Sequence, residues 1–392
     1  MIPPFLDFGP MPIANGFLSP EEVPNEKRYP LRVGFDPETK LVRLLDLVPP
    51  ELLFHERYAF HSSTSSRMAE HFERFAESVK GRLPRDAFVV ELGCNDGILL
   101  RHFVTMRHLG IEPSANVAMV AKSRGLRVVS CFFDRDAAGH CARVHGQADC
   151  ILAANVMCHV PDPAETFRAV ASLLRPPGLF IFEDPYLGDI LRLGSFDQIY
   201  DEHASYFSLT SVSKLAEGAG LELVHVEHLD THGGSMRYTL AHRGERVVED
   251  SVRAWRAEEV ASGLAEPETF ADFERRIEEK AWMLRSILNV HKFDGKRIAA
   301  YGATSKSTTV ANYARIGAGL IEYITDTTPG KQGKLSPGAH IPVVSHEHWL
   351  ANPPDYALLF AWNHAEEILA KEAAFRERGG KFIVYVPEVR VL

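Results

Sequence analysis

The sequence predicts an α/β protein in three parts: two doubly wound parallel-sheet units and a small region ahead of them. Three observations carry this. A strand, a glycine turn, a helix and a second strand ending in an acid occur in that order twice, over 87–112 and over 297–326. Between the two copies, apolar strand runs alternate with helical-period segments, which calls for a parallel sheet wrapped by helices. The first 70 residues follow neither pattern; they are rich in proline and predict short strands at best.

In the first copy, Ala87-Phe88-Val89-Val90-Glu91-Leu92 reads as a buried strand, Gly93 and Gly97 as the turn, and 98–103 as the start of a helix. The next strand, 108–111, ends at Glu112. Strands are further expected at 126–129, 150–153 and 179–182. Phe167, Val170, Ala171 and Leu174 mark one face of a helix before the last of these. In the second copy, a strand over 297–301 leads to Gly302, a helix over about 308–315 with Thr308 available as its cap, and a strand over 320–325 ending at Asp326. Ile277, Ala281, Leu284 and Leu288 fall at helical spacing in a charged segment, which reads as a linking helix. The expected divisions are 1–70, 71–243 and 244–392.

At 392 residues the chain is too long for one ordinary domain and buries a core without covalent staples. Hydrophobic residues make up 45% and charged residues 24%, which excludes long disorder. Forty-three Lys and Arg against 52 Asp and Glu give a net charge of −9, a poor general match for nucleic acid or an anionic membrane. The N-terminus has no basic start and no apolar run, and no stretch has the length of a membrane span, so a cytoplasmic protein is expected. Five cysteines without a C-x-x-C pair predict neither disulfides nor a zinc knuckle.

A helix that starts at a glycine turn after a strand offers free N–H groups to a ligand. Here Gly93 permits the sharp turn and Gly97 is expected to let a ligand approach the backbone. Glu112, 19 residues beyond Gly93, can accept the hydroxyls of a ribose. The pattern E-L-G-C-N-D-G lacks the three-glycine cradle of a pyrophosphate and suits a nucleoside without phosphates. Asn95 and Asp96 would face the far end of such a ligand.

With these residues, V-V-E-L-G-C-N-D-G-I-L-L resembles motif I of the class I S-adenosylmethionine-dependent methyltransferases. Its E-x-G-x-N-D-G form, and segments from L-D-F-G-P-M-P-I-A-N-G-F-L to I-P-V-V-S-H, resemble the C-methyltransferases of nucleotide-linked 4-keto-sugars. The resemblance implies a class I Rossmann-like methyltransferase domain, a second Rossmann-like domain after it and a small zinc-binding-like domain before it. It implies S-adenosylmethionine as methyl donor, held by Glu91, Gly93, Asn95, Asp96, Gly97, Glu112, Pro113 and Asn155. It further implies a dTDP-linked 4-keto-6-deoxysugar as substrate, methylated at C3.

Carbon becomes nucleophilic only when a proton is removed beside a carbonyl, so the site needs a base and donors to the developing oxyanion. Ile199-Tyr200-Asp201-Glu202-His203 supplies both residue types, and the family's Y-x-E-H pattern falls on Tyr200, Glu202 and His203. By resemblance His203 is the base. His159, after the strand at 150–153, is placed at the carboxyl ends of the strands, with Asp162 behind it as a helix cap. Tyr58 matches a family tyrosine that reaches the site from the N-terminal region. His232 and Arg237, in T-H-G-G-S-M-R, are family-like substrate contacts, although a hairpin turn also explains the two glycines.

Lys306, Thr308, Thr309 and Asn312 follow the second glycine turn, in a G-A-x-x-K-x-T-T segment which the family uses to hold the nucleotide-sugar. The family's second zinc cysteine pair is replaced here by Gly34-Phe35-Asp36-Pro37-Glu38-Thr39-Lys40. Asp36 and Glu38 do not make a four-ligand site, so no zinc is predicted. O- or N-methylation of another small metabolite, an NAD-dependent sugar oxidoreductase and a non-catalytic sensor of S-adenosylmethionine are the competing readings. Both a monomer and a homodimer fit the sequence.

Overall fold

A computed structural model describes residues 2–54 and 66–392. Among the described residues the longer strands fall into three sheets. The first begins with β1 (Pro4–Pro12), β2 (Arg28–Phe35) and β3 (Val42–Leu44), all antiparallel. The expectation of short strands is corrected here, because β1 and β2 run nine and eight residues. Three prolines fit in β1 because it is an edge strand with its register broken after Pro4 and before Pro10. Leu6, Met11, Leu31 and Val33 are buried, so alternation rather than proline content decides the structure.

The central sheet contains β4 (Phe88–Leu92), β5 (Arg107–Ile111), β6 (Val128–Val129), β7 (Ala148–Ala154) and β8 (Leu174–Pro185). A short β9 (Ser205–Tyr206) leaves this sheet and pairs with β3 of the first. The chain then returns as β10 (Leu221–Leu229) and β11 (Ser235–His242). The order is β10-β11-β8-β7-β4-β5-β6, parallel except where β11 meets β8 and β10. Chain order reverses on the two sides of β4, so a crevice opens at the carboxyl end of that strand. The helix expected over 98–103 is only a short 3-10 turn at Leu100–Phe103, since β5 begins at Arg107.

The third sheet holds β12 (Ile298–Tyr301), β13 (Ile324–Thr325), β14 (Val343–Val344), β15 (Tyr356–Leu359), β16 (Lys381–Val384) and β17 (Arg390–Val391). Its order, β14-β13-β12-β15-β16-β17, reverses at β12 and opens a second crevice beside Gly302. The helix after it is Ser305–Tyr313, three residues earlier than expected, and its cap is Thr304, not Thr308. The linking helix Pro267–Phe293 buries Ile277, Ala281, Leu284 and Leu288, the stripe read from sequence. Among the described residues no helix is long and apolar enough to cross a membrane.

Candidate active site between the two sheets

Both crevices open into one cavity of about 1240 Å³, lined also by the segment that leads into β9. On the central-sheet side the wall includes Gly93, Asn95, Glu112, Pro113 and Asn155. Glu112 is fixed by the N–H groups of Asn95 (2.9 Å) and Ser114 (2.8 Å). Burial raises its carboxyl above the usual range, and those two donors work against the rise. A Cβ on Gly93 would lie 2.4 Å from Val156, so glycine lets the turn and the 155–159 loop meet.

Three expected cofactor contacts do not reach the wall. Glu91 and Asp96 are buried below the turn, Asp96 with Arg124 at 3.5 Å. Gly97, at φ +83°, makes room for Leu126, whose Cδ1 would lie 2.1 Å from an added Cβ. The approach it permits is therefore that of a core side chain, and the expectation of a ligand there is corrected.

The segment from Tyr200 to His203 is buried where all three sheets meet. His203 Nδ1 donates to the Gln198 carbonyl at 2.8 Å, since a carbonyl can only accept. The lone pair is therefore on Nε2, where the Tyr200 hydroxyl donates at 2.8 Å. Burial, with the charges of His159 and Lys306 nearby, pushes the imidazole well below its ordinary range, so it is neutral at pH 7. The His159 ring lies 5.1 Å from that of His203, and burial lowers it to about 4.

Two acids flank this pair, and the N-terminal region satisfies both. Asn15 Nδ2 donates to Glu202 at 2.5 Å, and the Ala14 N–H faces Asp201 at 3.2 Å. Burial and the neighbouring Glu202 raise the Asp201 carboxyl to about 8, and the Ala14 N–H works against that rise. Asn15, which lines the cavity, was not singled out by sequence reasoning; its signal was its place in P-I-A-N at the end of β1. Gln198 was missed too, because its role runs through a backbone carbonyl. Tyr58 lies outside the described residues.

Of the six expected substrate contacts, the structure brings Lys306 and His232 to the wall. The other four are corrected, because their polar atoms hold the parts together. Thr308 Oγ1 donates to the Ala14 carbonyl (2.9 Å) and Thr309 Oγ1 to that of Ile199 (2.7 Å). Asn312 donates to the carbonyls of Thr308 and Pro337. Arg237 clasps Glu183 at 2.8 and 3.0 Å, reaches Glu227 at 2.7 Å and covers the Phe75 ring. The glycines before it join β10 to β11, and a Cβ on either would strike Trp362 or Asp189 within 2.4 Å.

The Nζ of Lys306 is buried and has no hydrogen-bond partner among the described residues. Burial lowers its ammonium, opposed by Asp197. His232 Nε2 is likewise unpartnered, and burial lowers that ring to about 3. Every lysine on the wall belongs to the third-sheet side: Lys306, Lys331 and Lys334. The central-sheet side carries no Lys or Arg among the described residues of the lining. Ligand atoms of Cys158, His159 and His203 lie within 4.8 Å of one another.

Family models match along the chain: a zinc binding domain over residues 2–54, a methyltransferase domain over 60–226 and a C-methyltransferase C-terminal domain over 230–387. C-methyltransferase NovU of Streptomyces niveus is 36% identical over 394 aligned positions, spanning 99% of this chain and 93% of that one. The chain belongs to the C-methyltransferase family. It is an S-adenosylmethionine-dependent methyltransferase. A ubiquinone biosynthesis O-methyltransferase of Ralstonia nicotianae is 28% identical over 39% of this chain and 71% of its own. A solved S-adenosylmethionine-dependent methyltransferase from Clostridium acetobutylicum covers 46% of this chain and 93% of its own, at 12% identity and a TM-score of 0.35.

This C-methyltransferase departs from the zinc-domain match at the ligands. Residues 2–54 contain neither cysteine nor histidine. The Asp36 carboxylate is taken by the N–H groups of Glu38 (2.9 Å) and Thr39. Such a set does not fit a structural zinc, which takes four ligands of mostly thiolate and imidazole.

Proposed function

We propose that this C-methyltransferase transfers a methyl group to C3 of a dTDP-linked 4-keto-6-deoxysugar through an enolate. One observation carries the reading: a buried, neutral His203 with its lone pair on Nε2 beside the Tyr200 hydroxyl, inside a cavity cationic at one end only. The crevice at Gly93, Asn95, Glu112 and Asn155, which holds no Lys or Arg among the described residues, suits a nucleoside bearing a sulfonium. The lysine-bearing crevice suits the diphosphate of a nucleotide-sugar. S-adenosylmethionine supplies the electrophilic methyl.

In this account His203 Nε2 takes the proton from C3 while the Tyr200 hydroxyl turns from Nε2 to the C4 oxygen. The C3–H electrons form the C3=C4 bond, and the carbonyl pair moves onto oxygen. His159 lies close enough to support that oxygen, and Glu202, held by Asn15, offsets the imidazolium charge. C3 then attacks the methyl as the C4 carbonyl re-forms. The bond from methyl to sulfur breaks with its pair going to sulfur, the neutral thioether leaves, and the imidazolium returns its proton to solvent. A positioned base contributes about 10²- to 10⁴-fold, and alignment of the two reactants contributes at least as much.

The test uses ¹³C-methyl-labelled S-adenosylmethionine and the dTDP-4-keto-6-deoxysugar. A long-range carbon–proton correlation placing the labelled methyl on C3 supports the reading. A methyl found on oxygen or nitrogen overturns it.

A further inference from the structure

We propose that Cys158, His159 and His203 form a site for one soft divalent cation of the zinc class, and that its occupancy silences the enzyme. The inhibitory half rests on the reading of His203 as the base; the ligand set does not. One ligand atom from each residue lies within 4.8 Å of the other two. Tetrahedral zinc bonds of about 2.0–2.3 Å need that triangle to contract by roughly 1 Å. His159 sits on a loop turn with the cavity beside it, so side-chain rotation supplies the contraction.

Two features suit the set to a metal. His203 already donates its other ring N–H to the Gln198 carbonyl, the outer-shell partner that metal-bound histidines use to fix their tautomer. The Cys158 thiol donates to Asp184, whose carboxylate also holds the Cys158 N–H at 3.1 Å. Binding exchanges the S–H bond for an S–metal bond, and the thiol proton is released to solvent. Two imidazoles and a thiolate are three protein ligands, which leaves a fourth position open toward the cavity. One thiolate with two imidazoles favours zinc or cobalt over magnesium or calcium. Ligation occupies Nε2 of His203, so proton abstraction stops.

Cobalt(II) is titrated into the metal-free full chain without donor or sugar, so failure of this site is read separately from failure of the keto-sugar reading. The expected result is a thiolate-to-cobalt charge-transfer band with tetrahedral d–d absorption, saturating at one ion per chain. The band is lost in Cys158→Ala and His159→Gln. It is kept in Cys131→Ala, which removes the one cysteine that is not buried. No band, or a band that survives Cys158→Ala, overturns the site. Should the Cys158 variant fail to fold, anomalous density from cobalt-soaked wild-type crystals decides: a peak bonded to the three residues supports the site, and a peak elsewhere overturns it. In a second step zinc inhibits methyl transfer by the wild type, and Cys158→Ala needs at least tenfold more zinc. Normal binding with undiminished transfer overturns the inhibition.

Discussion

The chain turns at Gly93 after β4 and at Gly302 after β12, and in both places an acid ending the next strand ties the turn down. Glu112 accepts from the Asn95 N–H at 2.9 Å and from Ser114 at 2.8 Å. Asp326 accepts from Ala303 at 2.7 Å and from Thr328 at 2.8 Å. The acid is thus first a device for holding a turn, and by itself it does not identify a ligand. Beyond the turn the two crevices diverge. After Gly93 there is no lysine on the wall among the described residues, and only a short 3-10 turn. After Gly302 a nine-residue helix begins, capped by Thr304, and the buried Nζ of Lys306 in its first turn has no hydrogen-bond partner among the described residues. On the proposed reading, the same strand-turn frame serves an uncharged or cationic ligand in one sheet and an anion in the other. The Tyr200–His203 segment lies between them.

The sharpest way to break this division is at its centre. His203→Ala is expected to lower kcat by about 10²- to 10⁴-fold and to leave binding at both crevices unchanged. Calorimetry with each ligand beside a rate assay checks it; lost donor binding would mean that the segment is part of a crevice instead.

The division itself is tested by a crossed pair. Lys306→Met is expected to weaken the nucleotide-sugar by roughly 10- to 100-fold, the size of a lost charged hydrogen bond, with donor affinity unmoved. Glu112→Ala should weaken the donor about tenfold or more and spare the nucleotide-sugar. If each variant weakened both ligands alike, the two crevices would not be separate sites.

The two turns also differ in how tightly they are packed. An added Cβ meets Leu126 at 2.1 Å on Gly97 but Ala361 at 2.9 Å on Gly302. Both positions have positive φ, so Gly97→Ala should cost about 1–3 kcal/mol more than Gly302→Ala in urea unfolding. Equal losses would show that backbone strain alone sets the cost.

A last effect concerns the shared wall. Burial lowers His159 to about 4 from an ordinary value of 6.5. Between those values only the unfolded chain takes up the proton, so its contribution is full above pH 6.5 and falls as pH drops toward 4. The slope approaches 1.4 kcal/mol per pH unit. His159→Gln should flatten that part of a stability–pH curve, and an unchanged curve would contradict the burial argument.

The frame of both sheets was legible because runs such as Val89-Val90 and Ala299-Ala300 are buried on both faces and apolar throughout. The segment proposed to hold the base was legible because Tyr200, Glu202 and His203 are close in sequence, and the structure places Tyr200 and His203 in hydrogen-bond contact. Side-chain direction was not. Lys306 meets the cavity, whereas Thr308 and Thr309 turn toward Ala14 and Ile199, and residue type does not show which helix face the cavity will take. Asn15 was hidden for a related reason, since its partner Glu202 is 187 positions away. The prolines of β1 concealed a strand because their meaning depends on its being at an edge.

The most direct test of enolate chemistry at His203 is solvent exchange without the methyl donor. The dTDP-4-keto-6-deoxysugar is incubated in D2O with wild type and with His203→Gln, and C3 is followed by proton NMR. Wild type is expected to replace the C3 proton with deuterium, and the variant to do so at least a hundredfold more slowly. Exchange by the variant at the wild-type rate would contradict His203 as the base. No exchange by either protein, with methyl transfer intact, would contradict an enolate formed ahead of the donor.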